Sequence, residues 1–324
     1  MANVAFSPTN SVTASSAANF IPEIWSDEIV AAYKKNLVLA NVVKKMSFKG
    51  KKGDTINIPS PNRGTASAKV ATDAVTLIAE TDTLIPVLIN RHYEYSRLIE
   101  DIVEVQALTS LRSFYTEDAG YALARRIDTD LVQLGRAFNG ATIGTDDYAT
   151  SASSTKAFVG SDGTTAYNSA SSNAAALTDA AIRRTIQRLD DNDVPMDGRF
   201  FLIPPSSRNT LMGLARYTEQ AFIGNGDAIR NGEIGQLYGM AVFASSNADT
   251  GAGNSGADRI CLMGHRDSMV LVEQLGIRSQ TQYKQEYLGT LFTADTLYGV
   301  KALRTAASAS AANASGAYAL AVPA

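Results

Sequence analysis

Residues 97–138 read RLIEDIVEVQALTSLRSFYTEDAGYALARRIDTDLVQLGRAF. The stretch has no proline, and Leu108, Leu111, Tyr115, Ala119, Leu123, Ile127, Leu131, Leu134 and Phe138 recur at steps of three and four. That spacing keeps one apolar stripe on one side of an α-helix. The opposite face carries Arg112, Glu117, Arg125, Asp128 and Arg136, and is expected to be wet. At about 1.5 Å per residue, a helix from Leu108 to Phe138 is roughly 45 Å long, well beyond the usual three or four turns. A helix of that length is a spine, and the other segments are placed relative to it.

Upstream of the spine, residues 46–95 carry no helical stripe. Thr55–Ile58 reads as a strand closed by Pro59, and Thr83–Tyr95 as a second strand interrupted by Pro86, with small polar residues between them. The pattern predicts an extended hairpin arm. A two-stranded arm is marginal alone in water, so it needs another surface, and a neighbouring copy of the same chain is the simplest source. Residues 1–19 are rich in Ser, Ala, Asn and Thr and read as a loosely held arm. A short amphipathic helix with Ile24, Trp25, Ile29, Val30 and Tyr33 follows Pro22.

Downstream, residues 139–173 form a Gly, Ser, Thr, Ala and Asp stretch expected as a surface loop. An α/β region follows. Thr178 is the expected cap of a helix with Ile182, Ile186 and Leu189 on one face, and FFLIP (200–204) reads as a buried strand. Ser206 or Ser207 is expected to cap the next helix, which bears Leu211 and Leu214. MAVFAS, RICLMG and SMVLVEQ read as further strands of this region. Residues 277–305 alternate and are expected to return as strands against the spine, while the Ala- and Ser-rich tail from Ala306 is expected to be loosely held. No internal repeat of fixed period is visible.

A chain of 324 residues with 45% apolar content buries a substantial core. Its formal net charge of −3 leaves no global basic footprint for nucleic acid or anionic lipid. One cysteine, Cys261, excludes an internal disulfide framework and suits a reducing compartment. The stretch before Lys34 lacks the charge pattern and continuous apolar core of a secretory signal, and no apolar run approaches a membrane span, so no membrane partner is expected.

A search for chemistry assigns no catalytic, cofactor-binding or metal-ligating residue and no cofactor. Only His92 and His265 are available as imidazole ligands, without HExxH or paired-Cys spacing. Cys261 and His265 lie four apart, but RICLMGHRD reads as a strand running into a turn, where a buried cysteine is ordinarily a small hydrophobe. GAGNSG (251–256) matches GxGxxG literally, yet a strand follows it where the dinucleotide fingerprint needs a helix. Lys44, Lys45, Lys49, Lys51 and Lys52 suit either phosphate contact or the guarding of a strand edge, the second being favoured. Glu100, Asp101 and Glu104 are read as dipole partners at the start of the spine.

The order of these parts, together with GDTINIP, ALARRIDTDL, LDDNDVPMDGRFFLIPP, GEIGQLYGMAVFASSN and LYGVKALR, resembles the major capsid protein of tailed double-stranded DNA bacteriophages. The resemblance runs along essentially the whole chain. It implies an α+β capsid fold: an N-terminal arm and short helix (1–45), an extended hairpin loop (46–95), the spine helix and following loop of a peripheral domain (96–177), an inserted α/β axial domain (178–275), and returning strands with the C-terminal tail (276–324). The implied function is a structural, non-enzymatic one, in which hexamers and pentamers build an icosahedral shell around double-stranded DNA. The implied partners are other copies of the chain, a separate scaffolding protein because little precedes the first helix, and a portal protein, with a decoration protein as an optional one. DNA is enclosed without sequence-specific binding. The implied location is the virion capsid, assembled in the bacterial host cytoplasm. Some family members cross-link through a Lys and an Asn; Lys69 lies near the loop tip, but nothing marks its partner and no cross-link is expected. Two alternatives stand beside this reading: the shell of a cellular nanocompartment enclosing cargo enzymes, and a soluble enzyme with a Gly-rich ligand loop at 224–239.

Overall fold

The computed structural model describes residues 38–50, 52–60, 66–71, 74–75, 77, 83–101, 110–136, 157–168, 172–214, 236–248, 258–303 and 316–324. The arm with Trp25, Glu104, most of the 139–173 stretch, GAGNSG and the start of the tail lie outside them.

Sixteen described elements run in this order: a helical turn α1 (Leu39–Val42), β1 (Lys44–Ser47), β2 (Thr55–Ser60), β3 (Thr83–Leu88), β4 (Arg91–Glu100), the spine α2 (Ser110–Arg136), β5 (Phe158–Val159), α3 (Asp179–Asp191), β6 (Arg199–Ile203), α4 (Pro205–Met212), β7 (Gln236–Leu237), β8 (Met240–Ala244), β9 (Asp258–His265), β10 (Met269–Lys284), β11 (Gly289–Ala302) and β12 (Ala317–Pro323). They make a four-stranded sheet ordered β1-β10-β11-β4, a six-stranded sheet ordered β5-β12-β9-β6-β8-β7, and a two-stranded ribbon of β2 and β3.

The spine is 27 residues in its described part, about 40 Å, and it joins the two sheets. Towards its start, Ala119 and Leu123 pack on Phe292 and Ala294 of β11. Towards its end, Ile127, Leu131 and Leu134 share one cluster with Phe200 and Leu202 of β6, Leu262 of β9, and Met269, Leu271, Tyr298 and Val300 of the four-stranded sheet. At Gly135 the helix comes so near β9 that an added Cβ would lie 2.7 Å from a Leu262 methyl.

Apolar runs without alternation mark strands covered on both faces. In MVLV of β10, Met269 and Leu271 face the spine cluster, while Val270 and Val272 face a cluster with Val87, Ile89, Ile56 and Ile58 at the root of the ribbon. In FFLI of β6, Phe200 and Leu202 face the spine, and Phe201 and Ile203 face Ile182, Leu189 and Leu211 of the helices beyond. Thr178 caps α3, its Oγ1 accepting from Ala181 N at 3.3 Å. LDDNDVPMDGR is a clasp between α3 and β6: the Arg199 guanidinium donates to the Val194 and Pro195 carbonyls and to Asp190, holding the turn that a left-handed Asp193 begins.

Several expectations are corrected. The strand expected to end at Tyr95 continues through Arg97–Glu100, because β4 pairs residue by residue with β11 up to Glu100 opposite Gly289. The second strand of the arm breaks at Ile89 and Asn90, not at Pro86. Pro59 and Pro86 both sit inside the ribbon, where among the described residues each strand is paired on one side only, and a proline is tolerated on such an edge strand. α4 begins with Pro205 after Pro204, with no serine cap. SMVLVEQ pairs with β11 and β1 in the four-stranded sheet, not with the α/β region. The end of the tail is not loose: Ala317–Val322 is buried between β5 and β9, with Tyr318, Leu320 and Val322 packed in the cluster of α3 and α4 and Ala319 and Ala321 in a second cluster with Ala157, Tyr167 and Ile260. The glycine-rich 224–239 stretch ends in regular structure, with Tyr238 and Gly239 (φ 50° and 78°) turning β7 into β8.

Candidate assembly interface

The surface that marks this chain is built from elements left half covered. The ribbon is fixed at its root, where Ile89 N donates to the Asp54 carbonyl at 2.7 Å and Gly299 of β11 approaches the Leu88 carbonyl. Beyond the root, Val70, Val75 and Leu77 are 60%, 73% and 89% exposed. Apolar side chains exposed near one another in sequence mark a contact with something else. The far end of the four-stranded sheet is similar. Ile277, Tyr283, Tyr287 and Leu288 are exposed there, around a turn closed by Leu288 in the left-handed region.

The spine that carries these elements is pinned by acids on both of its flanks. Asp130 is fully buried; its Oδ2 accepts from Arg91 Nη1 at 3.1 Å and from the Tyr298 hydroxyl at 2.8 Å, and Arg126 Nη2 lies 3.3 Å from Oδ1. Burial, and then the neighbouring Asp130 carboxylate, hold the Tyr298 hydroxyl pKa far above its ordinary value. Asp128, expected on the wet face, is also buried, because it accepts from Ala40 N (3.3 Å) on one side and from Asn247 Nδ2 (2.9 Å) on the other. It thereby ties the spine to the first helical turn and to the loop after β8. Nearer the spine's start, Arg97 donates to the Tyr95 hydroxyl (2.7 Å), which donates to Asp118 (2.9 Å). From sequence Asp128 was read as a wet-face residue, and Asp130 was not singled out. The available signal was Asp130 three residues after Ile127, on the apolar stripe itself.

The residues weighed for chemistry are not brought together. Cys261 and His265 lie on one strand, four residues and roughly 13 Å apart, too far to exchange a proton. The Cys261 thiol is buried against the Ser207 hydroxyl (3.4 Å), and burial pushes its pKa up to about 12, so it stays protonated. His265 is satisfied structurally, with Nε2 2.8 Å from the Asp197 carbonyl and Nδ1 accepting from Asp267 N. His92 sits 3.1 Å from Asp295, whose two oxygens accept from Arg278 at 2.7 and 3.0 Å; this hydrogen-bonded guanidinium holds the Asp295 carboxyl below its usual range. Among the described residues no group of three or more His, Cys, Asp or Glu is placed to hold a metal ion. No described helix is long and apolar enough to cross a membrane. Lys44 and Lys45 are exposed on β1, an edge strand. Glu100 is a strand residue and not part of the spine, while Asp101 is helical and accepts from the Tyr283 hydroxyl at 2.7 Å.

A family model described as phage capsid protein matches residues 23–309, most of the chain. The chain belongs to this family. No curated protein matches the sequence. Among solved structures, a chain of Mycobacterium phage Che8 superposes with a TM-score of 0.71 at 22% identity, covering 93% of this chain and 97% of that one. The capsid of Cyanophage P-SCSP1u gives 0.70 at 18%, covering 98% of each. A capsid described as that of a native GTA particle gives 0.63 at 13%, covering 97% of this chain and 99% of the other. At such identities the likeness establishes the fold. With the family, it makes this chain a structural shell protein of a virion capsid. The nanocompartment and enzyme alternatives gain no support from these matches.

Proposed function

We propose that this phage capsid protein is the major subunit of an icosahedral shell, built as hexamers and pentamers around double-stranded DNA, and that it has no catalytic role. The observation that carries the proposal is the half-covered arm. A ribbon of two proline-containing strands, continued by a segment whose valines and leucine are 60–89% exposed, does not bury enough surface to hold itself in water. It acquires a surface when it lies across a neighbouring copy. In this reading residues 46–95 are the extended loop, the spine with β10 and β11 is the peripheral domain to which both ends of the loop pair, and the six-stranded sheet with α3 and α4 is the axial domain. The further partners are a separate scaffolding protein, a portal protein and, optionally, a decoration protein, with assembly in the bacterial host cytoplasm. DNA is enclosed without sequence readout, consistent with a net charge of −3.

Electron microscopy of the purified chain, co-expressed with its scaffold, tests the proposal: closed shells are expected, and only small oligomers at every concentration would overturn it. Deleting residues 61–81 separates folding from assembly. The far-UV CD of the subunit is expected to persist while shells are lost, and shells at normal yield would remove the arm from the mechanism.

A further inference from the structure

Every sheet edge but one among the described residues carries a device that discourages strand pairing. The free edges of the six-stranded sheet, β5 and β7, are two residues long. The ribbon has Pro59 and Pro86. β1 presents Lys44 and Lys45, and β4 carries exposed Glu94, Arg97 and Glu100. The exception is the distal half of β10. β1 pairs only with Val270–Glu273, so from Arg278 to Lys284 the strand has β11 on one side and no described strand on the other. All of Ile277–Tyr283 is exposed, and Ser279–Tyr283 (SQTQY) contains neither charge nor proline. Its register with β11 is unbroken over Arg278–Lys284, the irregularities lying before it. An open groove of about 590 Å³ lined by Gln280, Thr281 and Gln282 of β10 and by Leu291 and Thr293 of β11 lies over this pair of strands.

We infer that the distal edge of β10 is where a second copy of this chain adds its own β10, antiparallel, about a two-fold axis at Gln280. The inference rests on the shell reading only in requiring copies held side by side. The edge is self-complementary in this register: Ser279 faces Thr281, Arg278 faces Gln282, and Ile277 faces Tyr283 of the second copy, which covers two apolar side chains now 47% and 49% exposed. Moving the axis to Thr281 would set Arg278 against Lys284, two like charges opposite each other, which disfavours that register. A ladder this short buries less than the roughly 1,000 Å² that a specific dimer needs, so it closes only between copies already held by other contacts. The result is a continuous sheet of eight strands across the two subunits.

The test uses assembled particles of the full chain. With the axis at Gln280, the two Cα atoms at this position are about 4.5–5.5 Å apart, within disulfide reach. Particles of Gln280→Cys, oxidised and run on a non-reducing gel, are expected to give a covalent dimer. Gln282→Cys particles are expected to give none, since that pair is about 13 Å apart in this register. Cys261, buried and protonated, does not compete. Thr281→Pro is expected to keep the far-UV CD of the subunit and lower particle yield at least tenfold. Particles of Gln280→Cys without the dimer, equal cross-linking from both cysteines, or normal yield from Thr281→Pro would each overturn the inference. So would a Gln280→Cys, Val70→Cys double variant that forms the 70–280 disulfide instead, which would assign the edge to the arm. Failure of the unaltered chain to form particles overturns the shell reading as well, and is distinguished by that control.

Discussion

The two large sheets share one helix yet differ in how they are finished. The six-stranded sheet is closed within the chain: β12, β9 and β6 are almost wholly buried, the spine covers one face, α3 and α4 the other, and its edge strands are two residues long. The four-stranded sheet is finished only in its proximal half, where MVLV is covered by the spine on one face and the ribbon root on the other. Among the described residues its distal half keeps only the start of the spine, on the face of Phe292 and Ala294. Incomplete burial in a strand that is otherwise regular shows where another chain is needed to complete the structure.

The largest test of this contrast is at the joint between the sheets. Ile127→Asp places an unpaired charge in the cluster that both sheets share and is expected to cost about 4 kcal/mol or more. The variant is expected to be insoluble, or unfolded by CD; a soluble, assembly-competent Ile127→Asp chain would show that the joint does not hold the sheets together. Next in size is a matched pair of truncations. Leu202→Ala, in the finished sheet, is expected to lower stability in urea by about 2–5 kcal/mol, whereas Leu291→Ala, in the open half, is expected to stay within about 0.5 kcal/mol. Similar losses at both sites would erase the distinction between the two halves.

A smaller effect is expected where the ribbon is rooted. A Cβ on Gly299 would lie 2.3 Å from the Leu88 carbonyl oxygen, a backbone atom that moves only with its strand. Gly299→Ala is therefore expected to cost about 1–3 kcal/mol and to raise protease cleavage within 61–81. Unchanged cleavage would mean that the ribbon is not seated there.

The smallest effect is electrostatic. The Arg278 guanidinium holds the Asp295 carboxyl below its unfolded value of about 3.9. A depressed carboxylate pKa gives stability that is present above the unfolded pKa and is lost as pH falls through the folded one. Urea midpoints of the unaltered chain are thus expected to fall below pH about 4, with a shallower fall in Asp295→Asn. Identical acid profiles would show that this half-exposed cross-strand pair adds nothing to the open half of the sheet.

Much of this was legible in the residues. The spine was readable because a three- and four-residue spacing is a property of the helix itself, and its buried Ala119, Leu123, Ile127, Leu131 and Leu134 are five of the stripe residues. The ribbon strands and the Thr178 cap were readable for the same local reason. The buried acids were harder to read. Asp128 lies on the charged flank of the helix and is buried only because Ala40 and Asn247, 88 and 119 residues distant, converge on it.

What the sequence determined by itself is therefore local: where helix and strand periodicity begin, where caps and turns fall, and, through the order of its motifs, the family. Which sheet each strand joins was decided only by the tertiary structure. SMVLVEQ and the Ala-rich tail carry apolar residues that suit either sheet, because apolar burial has no direction of its own. Only the long-range ladders, Val270 opposite Lys301 and Ala317 opposite Gly264, assign them. The free edge of β10 was likewise invisible in SQTQ, since whether a strand has a neighbour is a fact about other strands.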